Sequence, residues 1–440
     1  MRNRKSNLIL FRTPKEVMDQ GATVMDRGEG VFVYDTDGKK YLDLVSGVTR
    51  PVHIGYGNRE LAQAIYDQAA RLAYFTPIAY SNPPAEALAR VLADLTPGGL
   101  ERFIFVCDGS EAVETAMKLA RQRHACRGEK QRFKIISRRG AYHGVATAAL
   151  RALGTLYPMR LLMEPLPPGA VFLESPYCYR CPLHLEHPAC DLACARDLAR
   201  LIEFEGPDLI SAFIGEPIQQ GFGALAPPEG YWPLIRDICA RYGVLLIIDE
   251  VICGFGRTGK WFGVEHCGIE PDLMTMAKGL TSGYVPLGAV GAAEAVIEPI
   301  EFFEHLHTYG NHPVSCAAAL KNLEIMKRED LVGRSAAMGR YFLERLREFE
   351  DLPIVGQVRG TGLWLGIDLT ADKRTKAPLP PENIQNIVAR AKAKGLVIKM
   401  MGPALELAPP LIIQPEEIDH GVGLLRECLW EEGKELGRSG

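Results

Sequence analysis

The pattern of apolar and polar positions predicts strands and helices in alternation. Near the N-terminus, residues 30–34 and 40–44 flank the turn-forming segment 35–38 and predict a β-hairpin. From about residue 60 onward, helical periodicity alternates with short apolar runs. Such alternation is typical of an α/β fold, in which a mostly parallel sheet carries helices on both faces. The strands predicted for this sheet are residues 103–106, 134–136, 209–214 and 244–248.

The length of the chain predicts more than one domain. At 440 residues it is too long for one simple core. After about residue 322 the pattern indicates a long helix, followed by a strand at residues 363–367. We therefore expect a large domain over residues 60–321 and a small α/β domain over residues 322–440.

Charge and composition narrow the possible partners. The chain has 50 basic and 54 acidic side chains, so its formal net charge is -4. This balance gives no electrostatic reason to expect nucleic acid or an anionic membrane as a partner, and favours a small-molecule substrate. An apolar patch at residues 8–11 is too short for a secretory signal or a membrane span. We expect a cytoplasmic protein.

Two residues carry the main candidate chemistry. Asp249 follows the apolar run 244–248, and Lys278 precedes Gly279. A lysine amine can hold an aldehyde cofactor as a Schiff base, and a buried carboxylate can keep a pyridinium nitrogen protonated. Each residue alone has another reading, because Asp-Glu after a strand is also typical of a metal site and Lys-Gly often ends a helix. Together they predict an enzyme that uses pyridoxal 5'-phosphate.

The segments around these two residues resemble the signature of the class III aminotransferases, the omega-aminotransferase group. The signature segments are LIIDEVICGFGRTG at 246–259 and PDLMTMAKGL at 271–280. Further matches follow the family's order: DGSEAVE at 108–114, AYHG at 141–144, GEPIQ at 215–219, TYGNHP at 308–313, VRGTG at 358–362 and LAPPL at 407–411. This resemblance implies a fold-type I pyridoxal-phosphate-dependent transferase. It also implies a homodimer with shared active sites, in which residues 1–59 join the small domain.

A helix that opens near residue 110 is the candidate phosphate site. Ser110 is placed to cap this helix, with Gly109 before it. Backbone N–H groups and the helix dipole at such an end can receive a phosphate, although a capped helix without a ligand is commoner. The resemblance favours phosphate here. It also implies that Thr308 completes the phosphate site from the second subunit of the dimer.

The resemblance assigns roles to the remaining cofactor-binding residues. Tyr142 would stack on the cofactor ring, next to His143, and Val251 would pack on the opposite ring face. Glu216 would be a carboxylate one layer behind the cofactor, or equally the polar end of a strand. Lys278 would hold the cofactor at rest and then act as general base, carrying a proton between the substrate carbon and the cofactor carbon.

The sequence departs from the family where the carboxylate of an oxo acid is usually held. Many members carry an arginine two residues before Ala-Pro-Pro, and this chain has Glu406 there. A carboxylate would repel an oxo acid and favour an ammonium group, so the substrate is a diamine or polyamine, or the acid is held elsewhere. Arg50, where relatives often place an aromatic residue, is the candidate replacement or an ordinary loop arginine. Ile252 favours amines and omega-amino acids.

We therefore expect transfer of an amino group from a primary amine or omega-amino acid to an oxo acid such as pyruvate. A lyase or epimerase on the same scaffold is the alternative, because the same carbanion serves elimination and racemisation. Such an enzyme would turn over without an amino acceptor. A non-catalytic binding protein is a third hypothesis, which Lys278 and Asp249 disfavour.

Four of the eleven cysteines cluster as Cys178-x2-Cys181-x8-Cys190-x3-Cys194. Thiolates at this spacing can enclose a zinc ion. The alternative is a local insertion, residues 176–196, whose thiols pack together. No catalytic metal is expected, because the cluster lies outside every cofactor motif.

Overall fold

A computed structural model of the chain describes residues 21–154, 160 and 162–437, so the apolar patch at residues 8–11 lies outside the described residues. The strands are β1 (Met25–Glu29), β2 (Phe32–Asp35), β3 (Lys40–Asp43), β4 (Leu100–Val106), β5 (Lys134–Arg138), β6 (Ala170–Leu173), β7 (Ile210–Gly215), β8 (Leu245–Asp249), β9 (Leu273–Met276), β10 (Gly288–Ala293), β11 (Val355–Thr361), β12 (Trp364–Asp372), β13 (Ala377–Pro378), β14 (Leu396–Val397), β15 (Lys399–Met401) and β16 (Ala404–Leu407). The α-helices are α1 (Arg59–Arg71), α2 (Pro83–Leu95), α3 (Gly109–Cys126), α4 (Thr147–Arg151), α5 (Ala193–Glu205), α6 (Tyr231–Tyr242), α7 (Glu294–Ile297), α8 (Pro313–Arg328), α9 (Leu331–Arg347), α10 (Pro381–Ala393) and α11 (Pro415–Glu435).

The central sheet has seven strands in the order β4-β10-β9-β8-β7-β5-β6. Its neighbours from β9 to β6 are parallel, and β10 runs antiparallel to both β4 and β9. On β8, Leu246 and Ile248 belong to one buried cluster, whereas Leu245 and Ile247 belong to another. Because alternate side chains of a strand point to opposite faces, the sheet is covered on both sides. The predicted mostly parallel α/β fold is confirmed.

Parallel strand order brings three chain segments to one edge of this sheet. Strands β7, β8 and β9 are consecutive neighbours, with Gly215 paired to Ile248 and Asp249 paired to Thr275. Their carboxyl ends therefore lie side by side, which is where ligands bind in open α/β sheets. The residues that follow these strands include Glu216 and Lys278.

Two smaller sheets accompany the central one. The first has the order β1-β2-β3-β14, and β2 and β3 form the predicted antiparallel hairpin. Strand β14 lies parallel to β3, so N-terminal strands share a sheet with a strand from the C-terminal part of the chain. The second follows the order β11-β12-β16-β15, with β13 beside β12. The domain limits at residues 59/60 and 321/322 stay a prediction, and residue 322 itself lies within α8.

The helical region after residue 322 is divided in two. Helix α8 ends at Arg328 and α9 begins at Leu331, with Asp330 between them in a left-handed conformation (φ 46). The Asp330 carboxylate accepts a hydrogen bond from the Gly333 backbone N–H and so caps α9. The spacing of apolar residues in the sequence does not reveal this break between the helices, because each helix has its own buried face. Within the described residues, no helix is long and apolar enough to cross a membrane.

Candidate active site

A cavity of about 380 Å³ opens at the carboxyl ends of β7, β8 and β9. It brings together most of the cofactor-binding residues predicted from the sequence. Those that line it are Gly109, Ser110, Tyr142, His143, Glu216, Asp249, Val251 and Lys278. Thr308, Arg50 and Glu406 are not among the lining residues, and the Thr308 side chain is exposed on a turn.

Asp249 is held by three donors at the end of β8. One carboxylate oxygen, Oδ1, accepts hydrogen bonds from the Val251 backbone N–H at 3.0 Å and the Thr275 hydroxyl at 3.2 Å. The other, Oδ2, accepts from Nδ1 of His143 at 2.7 Å. The side chain is only 3% exposed, so these bonds fix a buried carboxylate facing the cavity. The far nitrogen of His143, Nε2, is buried without a partner.

Lys278 stands on a tight turn that follows β9. Its backbone is left-handed (φ 45), and the Asn322 amide of α8 donates to the carbonyls of Gly279 at 2.8 Å and Leu280 at 3.0 Å. A Cβ atom at Gly279 would lie 2.2 Å from the His53 ring, so only glycine fits there. Desolvation, followed by the positive charge of Arg50, lowers the pKa of Lys278 to about 8. An amine with this pKa is partly neutral near pH 7 and can act as a nucleophile or base.

The N-terminus of α3 forms another wall of the cavity. The helix begins at Gly109, and the Asp108 carboxylate caps it by accepting from the Glu111 backbone N–H at 2.9 Å. The prediction that Ser110 is the cap is therefore wrong: both residue types suit a cap, and the extended residue that precedes the helix is Asp108 (φ -155). A Cβ atom at Gly109 would lie 2.8 Å from the Val251 side chain. The first N–H groups of this helix have no partner within it.

Glu216 joins the strand β7 to the segment that carries Tyr142. Its Oε1 atom accepts from the backbone N–H groups of Tyr142 at 3.2 Å and Gln220 at 3.4 Å. The buried guanidinium of Arg138 donates to the Glu216 carbonyl at 2.5 Å and to its Oε2 atom at 3.4 Å. Glu216 is 3% exposed. The hydrogen bond from the Tyr142 backbone to Glu216 therefore helps to fix the position of Tyr142 at the cavity wall.

Arg50 and Glu406 form an ion pair with each other. Nε of Arg50 donates to Oε1 of Glu406 at 2.8 Å, and Nη2 donates to Oε2. The indole N–H of Trp364 donates to the same Oε1 atom at 2.6 Å. The two charged residues are 2% and 0% exposed. Their charges cancel, while the next residue, Pro51, lines the cavity.

Four residues that shape this site were not named from the sequence. Thr275 and Asn322 hold Asp249 and the Lys278 turn, and Arg138 and Trp364 hold Glu216 and Glu406. Thr275 and Arg138 carry a weak signal, because Thr275 is the one polar residue of β9 and Arg138 is a charged residue at the carboxyl end of β5. In the described part of the chain, no group of three or more His, Cys, Asp or Glu side chains lies in an arrangement that could hold a metal ion.

Comparison with known proteins identifies the family. The family model for class III aminotransferases matches residues 15–429. The putrescine–pyruvate aminotransferase of Pseudomonas aeruginosa is 36% identical over 97% of this chain and 94% of its own length. An (S)-enantioselective omega-transaminase from Thermomicrobium roseum superposes with a TM-score of 0.92 at 41% identity, covering 96% of both chains. The omega transaminase from Pseudomonas jessenii in complex with PMP gives 0.94 at 33% identity, covering 99% of this chain and 98% of its own. The chain therefore belongs to the class III aminotransferases and has their fold-type I architecture.

Proposed function

We propose that the protein is a pyridoxal-phosphate-dependent aminotransferase that moves an amino group from a primary amine or omega-amino acid to an oxo acid such as pyruvate. The observation that carries this proposal is the meeting of Asp249 and Lys278 in one cavity, from adjacent strands of the sheet. The relative named for putrescine and pyruvate supports the substrate classes. The relative in complex with PMP supports the cofactor.

The donor set of the cavity fits pyridoxal 5'-phosphate. A fixed, buried carboxylate suits a protonated ring nitrogen, an amine with a lowered pKa suits an aldehyde, and a helix N-terminus suits a phosphate. The tight contact between Gly109 and Val251 leaves no room for a side chain where that helix begins. When bound, the cofactor supplies an electron sink for the bond beside the substrate nitrogen.

The residues of this chain supply the proton transfers and the positioning. Lys278 takes a proton at Nζ from the substrate carbon and returns one on the cofactor side. Asp249 would accept a hydrogen bond from the protonated ring nitrogen, and its own three donors hold the carboxylate in place for this role. Tyr142 and Val251, which line the cavity, would pack against the ring and exclude water. Gly109, Ser110 and the backbone at the start of α3 would bind the phosphate.

We further propose a cytoplasmic homodimer with shared active sites. Tyr74, Phe75 and Tyr309 are exposed by 40%, 48% and 58%, and the rings of Tyr74 and Tyr309 are 6.0 Å apart. An exposed aromatic patch of this kind is suited to contact with another chain, which supports the proposal. Thr308 adjoins the patch, so it is available to the phosphate site of the partner.

For the acceptor we propose that Arg50 binds the carboxylate of the oxo acid by exchanging partners. The incoming carboxylate replaces Glu406 on the planar guanidinium, which binds either carboxylate through two parallel hydrogen bonds. Glu406 keeps the indole N–H of Trp364 and is not left without a donor. While Arg50 and Glu406 are paired, their charges cancel behind Pro51 of the cavity wall, which suits an uncharged part of an amine donor.

Transfer of isotope tests the function directly. A primary amine labelled with ¹⁵N is incubated with the protein, pyridoxal 5'-phosphate and pyruvate, and the alanine formed is analysed by mass spectrometry. We expect ¹⁵N in alanine and an equivalent amount of aldehyde or ketone from the donor. Ammonia release or racemisation without pyruvate would support the lyase or epimerase alternative instead.

A further inference from the structure

A second cavity lies in the cysteine-rich insertion, away from the active site. It is lined by Cys178, Cys181, Cys190 and Cys194, and it shares no lining residue with the active-site cavity. All four are free thiols. The cavity has an open volume of about 20 Å³, enough for one particle the size of a water molecule.

The four thiols come from two short pieces of structure. Cys178 begins the single 3-10 turn Cys178–Arg180, with Cys181 next, whereas Cys190 and Cys194 flank the start of α5. All four residues line the same small cavity, so the two pairs, which are separated in sequence, lie close together in space.

We propose that these four cysteines bind one zinc ion at a structural site. Two cysteine pairs with two and three intervening residues match the spacing of tetrahedral zinc sites, and sulfur ligands select zinc over magnesium or calcium. Among the described residues, no group of three or more His, Cys, Asp or Glu side chains lies in an arrangement that could hold a metal ion, so the proposal requires the four thiols to move closer together. They turn toward the ion when it binds, and each ligating thiol releases its proton to solvent.

The insertion is tied to the rest of the molecule by residues beside these cysteines. Tyr177 and Arg180 both donate to the buried Asp368 carboxylate on β12, at 2.6 and 2.7 Å. The Tyr177 ring lies 4.7 Å from the Phe222 ring. Phe222 in turn fills the space beside Gly140, two residues before Tyr142 of the active site. A bound ion therefore fixes the junction between the insertion, the small sheet and one wall of the catalytic cavity.

Metal analysis tests this proposal independently of catalysis. Protein purified without chelators is expected to contain about one zinc per chain, and after chelation and loading with Co²⁺ it is expected to show thiolate-to-cobalt absorbance. The double variant Cys181→Ser/Cys190→Ser should lose both signals. The control Cys126→Ser, at an exposed cysteine outside the cluster, should keep them.

The wild-type protein supplies a second readout that does not depend on folding of a variant. Chelation should lower its unfolding temperature by several degrees, and zinc should restore it. Less than about a tenth of a zinc per chain together with no cobalt–thiolate band would overturn the proposal. Zinc that remains in the double variant, or disulfide bonds between the four cysteines in the native protein, would overturn it as well.

Discussion

Arg50 and Glu406 stand 356 residues apart in the chain and form a buried, two-pronged ion pair beside the active site. Trp364 adds a third hydrogen bond to the same carboxylate. Removing one member of a buried pair leaves the other charge uncompensated, at about 3–5 kcal/mol. Under the proposed exchange of partners the pair would affect both substrate choice and stability, and substitutions that separate the two effects are informative.

Glu406→Gln should free the Arg50 guanidinium for the acceptor while keeping the shape of the side chain. We expect the KM for pyruvate to fall by about tenfold, equal to about 1.4 kcal/mol of binding, and the unfolding temperature to fall as well. Steady-state kinetics with an uncharged primary amine should show a donor KM within about twofold of the parent. The matched change Arg50→Gln should raise the KM for pyruvate. Equal KM values for pyruvate in the parent, Glu406→Gln and Arg50→Gln proteins would show that the pair takes no part in binding the acceptor.

Asp249→Asn should reduce turnover by about 10–100-fold, because a charge-assisted hydrogen bond contributes about 1.5–3 kcal/mol. The neutral amide no longer stabilises a proton on the opposite ring nitrogen. Thr275→Val removes only one donor to the same carboxylate and should have a smaller effect. The kcat values of the two variants show whether Asp249 contributes more to turnover than the Thr275 hydroxyl that holds it. A larger loss in Thr275→Val than in Asp249→Asn would contradict the assignment.

The pH dependence of the rate of cofactor association should reveal the pKa of the Lys278 amine. Its pKa is lowered to about 8, so the reactive neutral form grows about tenfold per pH unit below that value and levels off above it. Rates of pyridoxal phosphate association with cofactor-free protein should follow this curve. Arg50→Gln removes a nearby positive charge, so it should raise the Lys278 pKa and shift the midpoint to higher pH. A midpoint that stays in place would show that burial alone sets the pKa.

Shared active sites predict complementation between two inactive or weakened chains. Lys278→Ala removes the amine of its own site, and Thr308→Ala weakens the phosphate site of the partner. A mixed dimer of the two contains one site with both residues intact. Co-expressed, differently tagged chains should therefore recover about half of the parental activity per dimer. Activity no higher than that of the Thr308→Ala protein alone would place Thr308 outside the partner's site.

The sequence predicts which strand ends form this site better than it predicts the hydrogen bonds and ion pairs between the side chains there. Asp249 and Lys278 could be placed because each follows an apolar run whose end parallel strands bring to one sheet edge. The sequence predicts the cap of α3 at the wrong residue, since Asp108 and Ser110 both suit a cap and only the backbone conformation decides between them. The Arg50–Glu406 pair depends on packing between two distant segments, which no local pattern records.

The proposed function requires that the protein catalyses an amino-transfer half-reaction through Lys278. The most direct measurement is the absorbance spectrum of the cofactor-loaded protein before and after a panel of primary amines is added without acceptor. We expect the band of the aldehyde form to convert to that of the amine form, and pyruvate to restore it, with no conversion in Lys278→Ala. A band that never converts, or product that accumulates without any acceptor, would contradict the proposed function.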